Sequence, residues 1–179
     1  MRNRREIERL VSDLLRKHTI SSAPVRVEEV AKAEGLPIVD SPFPSDVSGA
    51  LLRHGDLVAI AVNGRQSAPR KRFTVAHELA HYLLDHKDHD HIDWKFTVIR
   101  RDGKSSEASD SQEIEANAFA ANLLMPKQFL LDDVKVYKNF NGEVEIDSSA
   151  MQSLARKYQV SEIALTYRLA NLGLIDPSV

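Results

Sequence analysis

The chain has 179 residues, enough for one domain with a full core and at most a small helical appendage. It is 42% hydrophobic and 28% charged, as a globular protein is, and its net charge of -2 gives no general attraction to nucleic acid or membrane surfaces. It has no cysteine, which excludes disulfides and thiolate metal sites; with no signal segment or membrane-length apolar run in the sequence, the expected location is the cytoplasm.

In chain order, Ile7, Leu10, Val11, Leu14 and Leu15 fall on one helical stripe. The arginines around them alternate with Glu6, Glu8 and Asp13, so the other face reads as solvated and not as a nucleic-acid arm. Residues 27–34 read as a short helix ended by Gly35, residues 36–39 as extended chain, and residues 41–46 as a proline-bearing loop. Two β-prone runs follow, residues 49–53 and 57–62, and the His54-Gly55-Asp56 between them signals a hairpin.

Residues 72–84 then read as a mostly apolar, buried helix that contains His77-Glu78-Leu79-Ala80-His81. His77 and His81 are i and i+4, so both imidazoles project from one face and can share a tetrahedral metal ion. Glu78, about 100° around the helix, can reach a water on that ion. Buried polar groups need partners, and one metal satisfies all three. The reading is a zinc-dependent hydrolase. A third ligand must be His, Asp or Glu, with the fourth position open to water.

Residues 85–93 carry His86, His89 and His91 in a hydrophilic run that reads as a solvated turn and not as a second metal site. Residues 94–100 read as a strand, and residues 101–109 as a flexible loop that overhangs the site. Residues 110–125 form a strong second helix, capped by Ser109 or Asp110 and stopped by Pro126. Glu113 and Asn117 on it are again i and i+4. Glu113 is preferred as the third metal ligand, with Asn117 hydrogen-bonded to a histidine of the first helix. Glu115, roughly 200° away, reads as solvated; both glutamates would also suit an ordinary acidic helix N-terminus. Residues 151–175 read as a helix-turn-helix whose second helix offers only Arg168 against Glu162, too little charge to grip DNA.

The pairing of Arg72-Phe73-Thr74-Val75-Ala76-His77-Glu78-Leu79-Ala80-His81 with the segment from Glu113 through Ala116, Asn117, Phe119, Ala120, Leu123, Leu124 and Met125 to Pro126 resembles the ImmA/IrrE family of metallopeptidases. The resemblance extends to residues 48–51 and the C-terminal helices. It implies an α+β, gluzincin-like core, with a small, mostly antiparallel sheet packed on the HExxH helix and the second ligand helix. It implies His77, His81 and Glu113 as metal ligands and Glu78 as catalytic acid/base. The cofactor is then Zn2+, with Mn2+ as the alternative, and the substrate a helix-turn-helix repressor cleaved in the cytoplasm. Residues 1–135 are the expected metallopeptidase domain, with residues 136–179 a helix-turn-helix-like segment packed on it.

By likeness to other HExxH peptidases, part of residues 49–63 is expected to form the sheet edge that holds an extended substrate. Tyr82, His54 and Arg72 are the candidates for a second oxyanion donor, and the sequence does not choose among them. The competing reading is a non-catalytic regulator or toxin–antitoxin component that binds a repressor through a structural metal site. Glu78 speaks against it, since a structural site has no use for that carboxylate.

Overall fold

A computed structural model of the chain describes residues 2–55, 57–86, 91–94, 107–139, 142 and 144–176. Helix α1 (Arg4–Lys17) opens with a capping box: Asn3 Oδ1 accepts the Glu6 N–H, and the Glu6 carboxylate accepts the Asn3 N–H. Its stripe buries Ile7, Val11, Leu14 and Leu15, while Leu10, at the stripe's edge, stays 40% exposed. Helix α2 (Val27–Ala33) ends at Gly35 with φ +86°, the left-handed conformation that glycine reaches without strain.

Four strands follow: β1 (Ile38–Ser41), β2 (Val47–His54), β3 (Leu57–Asn63) and β4 (His91–Trp94). Their order is β1-β3-β2-β4, with β1 parallel to β3 and the other pairs antiparallel. Both strands of the hairpin are therefore internal. Of the substrate edge expected within residues 49–63, the outer side is covered by β4 at residues 49–51 and by β1 at residues 60–63. Among the described residues only the tip of the hairpin, 52–54 and 57–59, lacks a strand partner there. These partners come from outside the hairpin, so its local sequence carries no sign of them. β4 also takes up residues 91–93, expected as loop; residues 95–100 of the expected strand and 101–106 of the expected loop lie outside the described residues.

Helix α3 (Ala68–Leu83) packs on the sheet at Gly49. A Cβ there would lie 2.6 Å from the Ala61 carbonyl oxygen and closer still to Thr74 Cγ2, so only glycine lets β2 and α3 approach this nearly. Helix α4 (Glu107–Leu124) packs across α3 and α1. It begins at Glu107, so Ser109 and Asp110 lie inside it and are not its caps. Pro126 ends α4 and opens α5 (Lys127–Asp133), which runs into a 3-10 turn (Val134–Tyr137).

The last helices, α6 (Ser148–Tyr158) and α7 (Glu162–Asn171), are joined through Gln159 at φ +55° and a Ser161 cap that accepts the Ala164 N–H. Arg168 of α7 points inward. Its Nε donates to the Met125 carbonyl (3.1 Å) and its Nη2 to Asn122 Oδ1 (2.7 Å), which ties α7 to the end of α4. Burial lowers its pKa to about 10. The one basic residue of the second helix is thus used in packing. Leu154, Tyr158, Leu165 and Leu169 join the same core as the helices before them. No described helix is long and apolar enough to cross a membrane.

Candidate metal centre

The first turns of α3 carry Arg70, Lys71 and Arg72 at the end where the helix dipole disfavours cations. Each is held by a different neighbour. Arg70 donates to Ser48 Oγ on β2, and Lys71 pairs with Asp40 on β1 at 3.2 Å. Arg72 donates to the Val25 carbonyl (2.7 Å) and Glu28 (3.3 Å) at the start of α2. Together they fix the helix against strands and α2 before it reaches its histidines. Arg72 lies about 140° around the helix from His77, and its guanidinium is held on the α2 side. His54 is exposed at the hairpin end of β2, and no described contact joins it to the centre. Tyr82 is half-buried, one turn beyond Glu78 on the same helix face.

His77 and Glu78 are fully buried, and His81 is nearly so. The two Nε2 atoms lie 3.0 Å apart. Across α4, the Glu113 carboxylate places Oε2 3.4 Å from His77 Nε2 and Oε1 3.2 Å from His81 Nε2. A tetrahedral zinc with bonds of about 2.0–2.1 Å holds its ligand atoms roughly 3.3 Å apart. The three observed separations, 3.0 to 3.4 Å, match that spacing. The donor set is two imidazoles and one carboxylate, which suits zinc or manganese. Asn117, one turn after Glu113, has its Oδ1 3.0 Å from His77 Nδ1. An amide oxygen only accepts, so Nδ1 carries the proton and the lone pair of His77 is on Nε2, toward Glu113. The residues present fit a divalent metal.

Two residues read as solvated in the sequence are buried here. Glu115 is 4% exposed and accepts the Arg2 backbone N–H (2.5 Å) and Arg2 Nη1 (2.9 Å). Burial pushes its pKa up, but the bonds from Arg2 and His86 outweigh that and hold it below the usual carboxylate value. The 200° rotation away from Glu113 is real, but that side of α4 is covered. His86 is 5% exposed, with Nδ1 3.0 Å from His81 Nδ1 and Nε2 3.4 Å from Glu115 Oε2. Burial lowers the His86 pKa, and Glu115 only partly offsets the shift. Three of the residues around the centre, His77, His81 and Glu113, bring their ligand atoms within 4.8 Å of one another.

Residues 31–170 match the family Peptidase_M78, described as the IrrE N-terminal-like domain. No curated protein matches the sequence. Among solved structures, a Mycobacterium tuberculosis transcriptional regulator superposes with a TM-score of 0.64 at 15% identity. The match covers 93% of this chain and 46% of that one, so the chain spans about half the length of that relative, and the likeness is one of fold.

Proposed function

The chain belongs to the Peptidase_M78 (IrrE N-terminal-like) family, and from that premise we propose that it is a zinc-dependent endopeptidase whose substrate is a helix-turn-helix transcriptional repressor. The observation that carries the reading is the spacing of His77, His81 and Glu113, 3.0 to 3.4 Å between ligand atoms, next to a fully buried Glu78. In this reading residues 1–135 form the peptidase domain, residues 136–179 a helical segment docked on it, and the protein works in the cytoplasm.

His77, His81 and Glu113 would hold the ion. Bound there, zinc supplies a Lewis acid for the scissile carbonyl and acidifies the attacking water. Glu78 takes the proton of that water as it adds to the carbonyl, then delivers it to the departing amine. Asn117 keeps the His77 ring in the tautomer that presents Nε2. The burial of Glu78 keeps bulk water from the proton it carries. A purely structural site would gain nothing from a buried carboxylate beside its ligands.

The test is co-incubation of wild-type protein and Glu78→Gln with the helix-turn-helix regulator encoded beside it, followed by intact mass. A metal-dependent cut by the wild type alone supports the peptidase and locates the bond. A stable complex from both proteins with no cut would replace it with a sequestering regulator.

A further inference from the structure

α3 ends in an unusual way. Its left-handed residue is Asp85 (φ +54°), not glycine; the His86 N–H returns to the His81 carbonyl (3.0 Å) and the Asp85 N–H to that of Tyr82 (3.2 Å). This is the Schellman pattern, in which the second residue past the cap folds back over the last turn, commonly through an apolar contact. Here the contact is between two imidazoles, His86 and His81, with ring centroids 4.9 Å apart and planes at 73°.

The protons along the resulting chain of groups have one consistent arrangement. The Glu115 carboxylate accepts from Arg2 through both oxygens and accepts here too, so His86 Nε2 carries the hydrogen that faces it. In the tautomer with its hydrogen on Nε2, His86 has a lone pair on Nδ1, 3.0 Å from His81 Nδ1. Two lone pairs face each other at 3.0 Å only where a cation would join them, as at the two Nε2 atoms; between the Nδ1 atoms a hydrogen is needed, so His81 Nδ1 donates to His86. His81 Nε2 is then the bare nitrogen, directed at Glu113. Arg2 holds the far end by binding Glu115 through its backbone and guanidinium and the Leu84 carbonyl through Nη2 (3.0 Å).

We propose that His86 is a positioning residue of the metal centre: supported by Glu115 and Arg2, it fixes the tautomer and ring orientation of His81, as Asn117 does for His77. The proposal rests on the reading of His77, His81 and Glu113 as the metal ligands. Partners of this kind change metal affinity by about 10–100-fold when removed. Nothing in the sequence marks His86 for the role, because its place depends on the left-handed Asp85.

The experiment measures zinc affinity of the full chain by competition with a chromogenic chelator, with circular dichroism as the check on folding. His77→Ala is run first, and stoichiometric zinc in the wild type with none in this variant secures the ligand reading on its own. His86→Phe keeps the bulk of the ring but cannot accept from Nδ1, and is expected to weaken zinc binding about 10–100-fold. His86→Gln restores an accepting oxygen and is expected to recover most of that loss. The visible spectrum of the Co2+ protein should change in His86→Phe and return toward wild type in His86→Gln. If His86→Phe does not fold, Glu115→Met poses the same question, since a side chain without an accepting oxygen releases the His86 proton, with a loss of about 10-fold expected. Unchanged affinity in a folded His86→Phe, or Gln binding no better than Phe, overturns the proposal while leaving the ligand set intact. Equal affinity in Glu115→Met and wild type overturns it as well.

Discussion

Gly49→Ala tests how the HExxH helix is seated on the sheet. The added methyl would sit 2.6 Å from the Ala61 carbonyl oxygen and nearer still to Thr74 Cγ2. Ordinary contacts run at about 3.5–4.0 Å, so β2 and α3 would have to part by about 1 Å. The Ala61 oxygen belongs to the paired neighbour β3 and cannot turn aside as a side chain could. Overpacking of this kind costs about 1–3 kcal/mol. At about 2–4 °C per kcal/mol for a chain of this size, Tm should fall by about 2–12 °C. The assay is thermal unfolding by circular dichroism with chelator present, so that bound metal does not contribute. Thr74→Ser removes the Cγ2 methyl, so the double variant should recover part of the loss, with a coupling of at least about 0.5 kcal/mol. The Ala61 oxygen prevents full recovery. A Tm for Gly49→Ala within a degree of wild type would refute the claim that this glycine sets the distance between helix and sheet.

Other outcomes are expected at the site and away from it. Glu78→Gln should bind zinc as the wild type does but lose about 10²–10⁴ in cleavage rate; wild-type turnover would remove Glu78 from the chemistry. Glu113→Ala should lose most of its zinc by metal analysis, and excess zinc, which raises the Tm of wild type by mass action, should raise that of the variant much less. Arg168→Met leaves the Met125 carbonyl and Asn122 amide oxygen without their cation and should cost about 2–5 kcal/mol in chemical denaturation, since a charge-assisted bond contributes about 1.5–3 kcal/mol. Glu34 is pushed up by burial but held below its ordinary pKa by Lys17 and His18, which bond to it. A carboxylate depressed in the fold stabilises above its unfolded pKa and loses that contribution as pH falls through the folded one. The margin of wild type over Glu34→Gln should therefore be full at pH 7, shrink as pH falls below the ordinary glutamate pKa, and vanish only below the depressed folded pKa.

The parts of the centre legible in sequence were those set by one helix at a time. The i and i+4 spacing of His77 with His81, and of Glu113 with Asn117, survives any packing, because each pair depends only on helical periodicity. What escaped depends on contacts between distant segments. Helical periodicity gives the angle of Glu115 on α4, but Arg2 and His86 cover that face. His86 was hidden in a hydrophilic run whose composition predicts a solvated turn. The hairpin was legible from its turn, while the covering of its edges by β1 and β4 was not. Arg168 looked like a sparse surface charge, although α4 supplies it with two oxygens.

The centre also closes a long excursion of the chain. His77 and Asn117 meet although 40 positions separate them, and the stretch between leaves α3, forms β4 at the sheet and returns as α4. Closing a loop of that length carries an entropy penalty of about 3 kcal/mol, which the packing of α3 against α4 already offsets before an ion arrives. Doubling the excursion would add only about 0.6 kcal/mol. The connection between the two helices can therefore lengthen at little entropic cost while the ligands stay in register, provided that His86 and β4 keep their places.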